Sequence, residues 1–176
     1  MIKHSRIISL TAILLTTFVL NSNAQEKSVC PCCTEKYDHF NYWLGSWEVY
    51  DTTGTKVGSN VITELENGCL IKEQWTSTGK HTGTSYNFYN KADDSWNQVW
   101  VDNQGNVLDL KGGLINGSMT LKSAMVKDKD GNEIFHRITW FRQKDGTVKQ
   151  VWDVVRANGE VASNLFTGIY KKSEVK

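Results

Sequence analysis

Nine regularly spaced turn signals, from Thr53-Gly54 to Asn158-Gly159, constrain this chain more than any other feature. Among them are Asn67-Gly68, Asn116-Gly117 and Asp145-Gly146. Asn-Gly and Asp-Gly favour two-residue type I′ turns, in which both central residues need positive φ. The signals separate ten strand-length pieces, near 46–52, 56–66, 69–78, 81–90, 95–102, 106–115, 118–127, 132–142, 147–156 and 161–171. The only proline, Pro31, precedes them all, so no piece loses a ladder donor. Consecutive strands joined by tight turns make an up-and-down meander. Ten in one sheet would twist and expose two edges unless the sheet closed. The expected fold class is therefore all-β: about ten antiparallel strands in an up-and-down barrel.

Two segments precede the strands. Lys3, His4 and Arg6, an apolar run from Ile7 to Leu20, and the small-residue end at Ala24 predict a signal peptide over 1–24. The run is short for a membrane span, and Cys30 lies too far downstream for a lipoprotein site. Cleavage removes 24 of 176 residues and two of the 20 basic ones, leaving 152 residues with net charge −1. That length suffices for one domain with a core. The expected organisation is a signal peptide at 1–24, an exposed cysteine-containing lead at 25–36, a barrel at 37–171 and a tail at 172–176. The mature protein would be periplasmic or secreted, with no membrane span. A near-neutral chain without a basic cluster argues against nucleic acid and anionic membrane partners.

Tyr37, Phe40 and Leu44 fall on one face of a helix. Thr34 is a candidate N-cap, and Gly45 is placed to end the helix in a left-handed conformation. This lid helix would cross one barrel end. Beyond it the period is two. Trp96, Gln98, Trp100 and Asp102 share a face. So do Glu73 and Trp75, Gln150 and Trp152, Arg137 and Thr139, and Ser85, Asn87 and Tyr89. If this set faces inward, the barrel encloses a wet or ligand-filled cavity. The opposite parity makes Val99, Val101, Ile138 and Val151 a dry core.

Gly45-Ser46-Trp47 behind a short helix resembles the G-x-W signature of lipocalins. The block from Phe40 to Trp47 is similar to that of a bacterial lipocalin-like family of unknown function. So are Trp96 to Asp102, Arg137 to Trp140, Gln150 to Trp152, and Gly168-Ile169-Tyr170. The resemblance covers nearly all of 37–171 and implies a calycin-type barrel, with Trp47 packing over the closed end. The same start also resembles the nitrobindins, haem-binding barrels with an axial histidine. His136 is the one candidate ligand here, and it shares parity with Ile138 and Trp140 rather than with the polar face.

Cys30, Cys32, Cys33 and Cys69 admit two readings. Disulfides would form after export, and pairing Cys69 with the cluster would clamp the lead to the second hairpin. A four-thiolate metal site is the alternative, although Cys-x-Cys-Cys matches no common zinc spacing. Asp128-x-Asp130-Gly131 lacks the later ligands of a calcium loop and reads as a turn. No nucleophile elbow, zinc helix, phosphate loop or dinucleotide fingerprint is present.

The leading expectation is a small-molecule-binding barrel. The candidate ligand residues are Glu73, Trp75, Asn87, Gln98, Trp100, Arg137, Gln150 and Trp152. Glu73 and Arg137 could form an internal ion pair, or Arg137 could hold an anionic ligand head. The alternatives are a small-barrel isomerase or proton-transfer enzyme with Glu73 or Asp102 as base, and a metal or haem protein using the cysteines or His136. The residues name neither a ligand, a cofactor nor an oligomeric state.

Overall fold

The computed structural model describes residues 30–173. The expected signal peptide, the first part of the lead and residues 174–176 lie outside them. The chain enters through one α-helical turn, α1 (Glu35–Asp38), and one 3-10 turn, Asn41–Trp43. Eleven strands follow. The first six are β1 (Gly45–Tyr50), β2 (Lys56–Leu65), β3 (Leu70–Ser77), β4 (Thr82–Asn90), β5 (Ser95–Asp102) and β6 (Val107–Ile115). The rest are β7 (Ser118–Lys122), β8 (Val126–Lys127), β9 (Glu133–Arg142), β10 (Val148–Arg156) and β11 (Val161–Lys172).

Ten of these strands close into an antiparallel barrel. Each pairs with its sequence neighbour, except that β7 passes over β8 to β9, and β11 returns to β1. The closing register sets Val49 opposite Tyr170. A closed ten-stranded antiparallel barrel fits a lipocalin-like fold. The eleventh strand is the remainder of the 118–127 piece, expected to be continuous. It breaks at Ser123, whose hydroxyl accepts the His136 N–H at 2.9 Å. β8 then pairs only with the start of β9.

The turns differ from the two-residue hairpins that the Asn-Gly and Asp-Gly pairs imply. In five of them, beginning at Asp51, Asp102, Asp128, Gln143 and Arg156, the first residue's N–H donates to the carbonyl four residues on, and its own carbonyl accepts from the glycine three on. These are three-residue loops in which glycine alone takes positive φ and forms a bulge. At the three that begin with aspartate, the carboxylate of Asp51, Asp102 or Asp128 accepts the loop's backbone N–H groups. Asp128 thus serves a turn, as its truncated motif predicted. Asn116-Gly117 keeps the two-residue form, with both residues at positive φ.

The N-terminal turns plug the barrel end at which β1 begins. A continuous helix with a Tyr37, Phe40, Leu44 face was expected. Instead the chain tightens into the 3-10 turn, and Tyr37, Phe40 and Trp43 are the buried side chains. Their three-residue spacing follows the tighter winding. Phe40 stacks on Trp43 at 4.8 Å and meets Trp140 and Trp96 edge-on. Hydrogen bonds fix the plug to the walls. Trp47 donates to the Trp43 carbonyl at 2.7 Å, Trp96 to the Lys36 carbonyl at 3.1 Å, and the Tyr42 hydroxyl to the Trp140 carbonyl at 2.8 Å. Thr34 caps the first turn through its carbonyl, without a side-chain bond. Gly45 takes a φ of +121° as it opens β1.

All four cysteines are paired, Cys30 with Cys33 and Cys32 with Cys69. The second bridge ties the lead to the turn before β3, as the disulfide alternative expected. No free thiolate is left for the four-sulfur metal site.

Candidate functional site

Closure of the barrel decides which strand faces point inward. Trp96 and Gln98 are buried on β5, whereas Val99 and Val101 are exposed. Glu73, Ser85, Asn87 and Gln150 are buried too. The polar parity is therefore the inner one on β3, β4, β5 and β10. It fails on β9. Trp152 pairs with Ile138 and Asp153 with Arg137, and directly opposed residues share a face. Ile138 and Trp140 are buried inside. Arg137 lies on the outer wall, where its guanidinium meets Asp153 at 3.0 Å. The expected Glu73–Arg137 pair and the anion-holding role of Arg137 are both overturned by this register.

Above the aromatic plug lies a cavity of about 300 Å³. Half-buried Trp75, Trp100, Trp152 and Phe166 form its walls, with Val57 and Leu108. Ser77 and His81, flanking the β3–β4 hairpin, stand on its rim. Glu73, Gln98, Gln150 and Tyr170 supply polar groups toward the plug. Glycines make room for the rings. A Cβ on Gly58 would lie 2.5 Å from the Trp75 ring, and one on Gly168 would lie 2.7 Å from Phe166. A Cβ on Gly83 would run into Trp100. Glycine inside a strand marks such close approach, a signal present in the sequence at all three positions.

The floor is a hydrogen-bonded network. Asn60 donates to Glu73 Oε1 at 2.6 Å, and Ser85 donates to Oε2 at 2.7 Å. Asn87 donates to Ser85 at 2.9 Å, and Gln98 donates to Asn87 at 2.8 Å. Tyr170 donates to Gln150. Asn87, expected to meet a ligand, sits behind Gln98 and does not line the cavity. Asn60 and Tyr170 are not among the ligand residues expected from the sequence. Asn60 alternates with exposed Ser59 and Val61 between buried Gly58 and Ile62, a placement that the run Gly58-Ser59-Asn60-Val61-Ile62 does not show by its polarity.

Glu73 is 5 % exposed and has no cationic partner among the described residues. Burial pushes its carboxyl up to about 7, against the opposing effect of the Asn60 and Ser85 hydrogen bonds. The Tyr170 hydroxyl is also pushed far up, by burial and then by the Glu73 charge. Asp102 behaves oppositely. It accepts from the Asn106 amide at 2.8 Å and lies 3.1 Å from His81 Nε2. These bonds and those from the Asn106 and Gln104 N–H groups hold it well below the usual carboxylate range, despite some desolvation. A carboxylate so stabilised is a weaker base than the buried Glu73.

His136 shares the inner parity of Ile138 and Trp152, yet it does not line the cavity. The Trp152 indole, which only donates, approaches His136 Nδ1 at 3.0 Å. Nδ1 therefore accepts, and burial, which lowers its pKa, favours a neutral ring with its proton on Nε2. Ligating a metal would require breaking that bond or losing that proton. Among the described residues no group of three or more His, Cys, Asp or Glu side chains converges to hold a metal ion. None of their helices is long and apolar enough to cross a membrane. No protein-family model matches this chain, and no curated protein matches it either.

Proposed function

We propose that this chain is an exported, lipocalin-like barrel that binds a small, partly apolar molecule. In this reading residues 1–24 are removed on export, and the barrel of 37–171 is the working domain. One observation carries it: a cavity of about 300 Å³ with aromatic walls and a few convergent polar groups. Two disulfides support export, because such bridges persist in oxidising compartments. Native mass spectrometry of the exported protein tests the reading. A co-purifying small molecule that Trp100→Ala releases supports it, whereas a guest retained by that variant places binding elsewhere.

A second reading has its own support. Glu73, buried and pushed up to about 7, is suited to accept and return a proton near neutral pH. In a proton-transfer enzyme Glu73→Gln would abolish turnover. In a pure binding protein hydrogen–deuterium exchange of a bound carbon acid would not be accelerated by the wild type.

A further inference from the structure

The cavity floor has more acceptors than donors to offer. Each oxygen of Glu73 holds one side-chain donor, and an ionised carboxylate has about four acceptor sites. Two face no donor. Gln98 uses its amide nitrogen on Asn87 and Ser85, and its Oε1 takes no hydrogen bond among the described residues. On the donor side, Tyr170 already gives its proton to Gln150, leaving the Gln150 amide nitrogen.

Among the described residues no lysine or arginine lines this space, and Glu73 is the one carboxylate that does. Arg137, the ion-pair partner expected for Glu73, is engaged outside with Asp153. The other ionisable lining groups are Tyr170 from β11, which is neutral, and His81 at the rim, 3.1 Å from Asp102. Above the carboxyl stand Trp75, Trp100, Trp152 and Phe166. Indole and phenyl faces attract cations through their quadrupoles. Such a site lacks a desolvated cation and offers groups on which one can rest.

We infer that the cavity selects a monocationic amine with an aromatic or aliphatic body, its ammonium group seated on Glu73 and Gln98 and its body against the tryptophans. This rests on the proposed binding function and adds the chemical class of the guest. An ammonium brings three donors to the surplus acceptors. It also supplies the counter-charge without which an ionised Glu73 is costly to bury.

Three matched probes test it: 4-phenylbutylamine, 4-phenylbutan-1-ol and 4-phenylbutyrate, titrated calorimetrically into the whole exported protein at pH 8. Shifts of the Trp75, Trp100 and Trp152 indole N–H signals in NMR locate the probe. The amine should bind about tenfold or more tighter than the alcohol, on the scale of one charge-assisted hydrogen bond. The carboxylate should bind weakest. In Glu73→Gln the amine-to-alcohol ratio should fall to about one if the ion pair is the source of selectivity. The wild-type comparison stands even if that variant fails to fold. Equal binding of alcohol and amine overturns the amine inference while the cavity-binding reading survives. If none of the three binds, both fall.

Discussion

Asn60 on β2 holds the carboxyl of Glu73 on β3 at 2.6 Å inside the barrel, and no cation among the described residues stands opposite them. Ionised Glu73 has only neutral donors there, so burial favours its protonated form. Rotating the Asn60 amide brings its otherwise unpartnered Oδ1 toward a protonated Glu73, so the neutral pair needs no backbone movement. The folded carboxyl titrates near 7 and the unfolded one near 4.5. The stability due to neutral Glu73 is thus complete below about 4.5 and is lost as pH rises through about 7. Between pH 4 and pH 8 the wild type should lose about 3 kcal/mol relative to Glu73→Gln, at roughly 1.4 kcal/mol per pKa unit. Urea unfolding of both proteins at the two pH values measures the difference. Parallel pH profiles would contradict it.

The two disulfides should differ in weight. Cys32–Cys69 spans 37 positions and Cys30–Cys33 spans three. Loop-closure entropy assigns about 4 kcal/mol to the longer loop and about 2 kcal/mol to the shorter. The paired variant Cys32→Ser/Cys69→Ser should therefore lower the urea midpoint more than Cys30→Ser/Cys33→Ser. Without reductant, alkylation should label none of the four cysteines.

Gly83 is expected to be intolerant of a side chain because the Trp100 ring occupies the place of its Cβ. Gly83→Ala should cost about 1–3 kcal/mol through overpacking and drive the indole toward the cavity. Weaker binding of an aromatic probe should accompany the lowered thermal midpoint. Gly113→Ala is the control, since its Cβ would meet nothing within 4 Å.

Arg137 should matter little. Its side chain is 32 % exposed and pairs with Asp153 on the outer wall. Arg137→Ala should cost under about 1 kcal/mol, less at high salt, and leave the Trp75, Trp100 and Trp152 indole signals in place. A large loss of ligand affinity would contradict the outward placement.

Much of the fold was legible because its signals are local. Turn residues and period-two patterning marked the strands, and proline-free pieces permitted continuous ladders. Even so, the loop type was misjudged at Asp145-Gly146 and Asn158-Gly159. There the preceding Gln143 and Arg156 set three-residue loops whose only positive-φ residue is glycine. The site was legible on β3, β5 and β10, where polar and aromatic residues alternate with residues facing out. On β9 it was not. Arg137-Ile138-Thr139-Trp140 has a polar and an apolar face, and polarity alone chose the wrong one.

By itself the sequence determined a turn-punctuated β chain long enough to close, a proline-free body and a tryptophan-rich entry after Pro31. These follow from backbone preferences acting over a few residues. Only the tertiary structure decided that Ile138 rather than Arg137 faces Glu73's cavity, that Cys69 joins Cys32, and that Glu73 has no counter-ion among the described residues. Those are matters of register between distant strands. One residue of slip exchanges every inward side chain for its outward neighbour, and only closure of the ring from β11 to β1 removes that freedom.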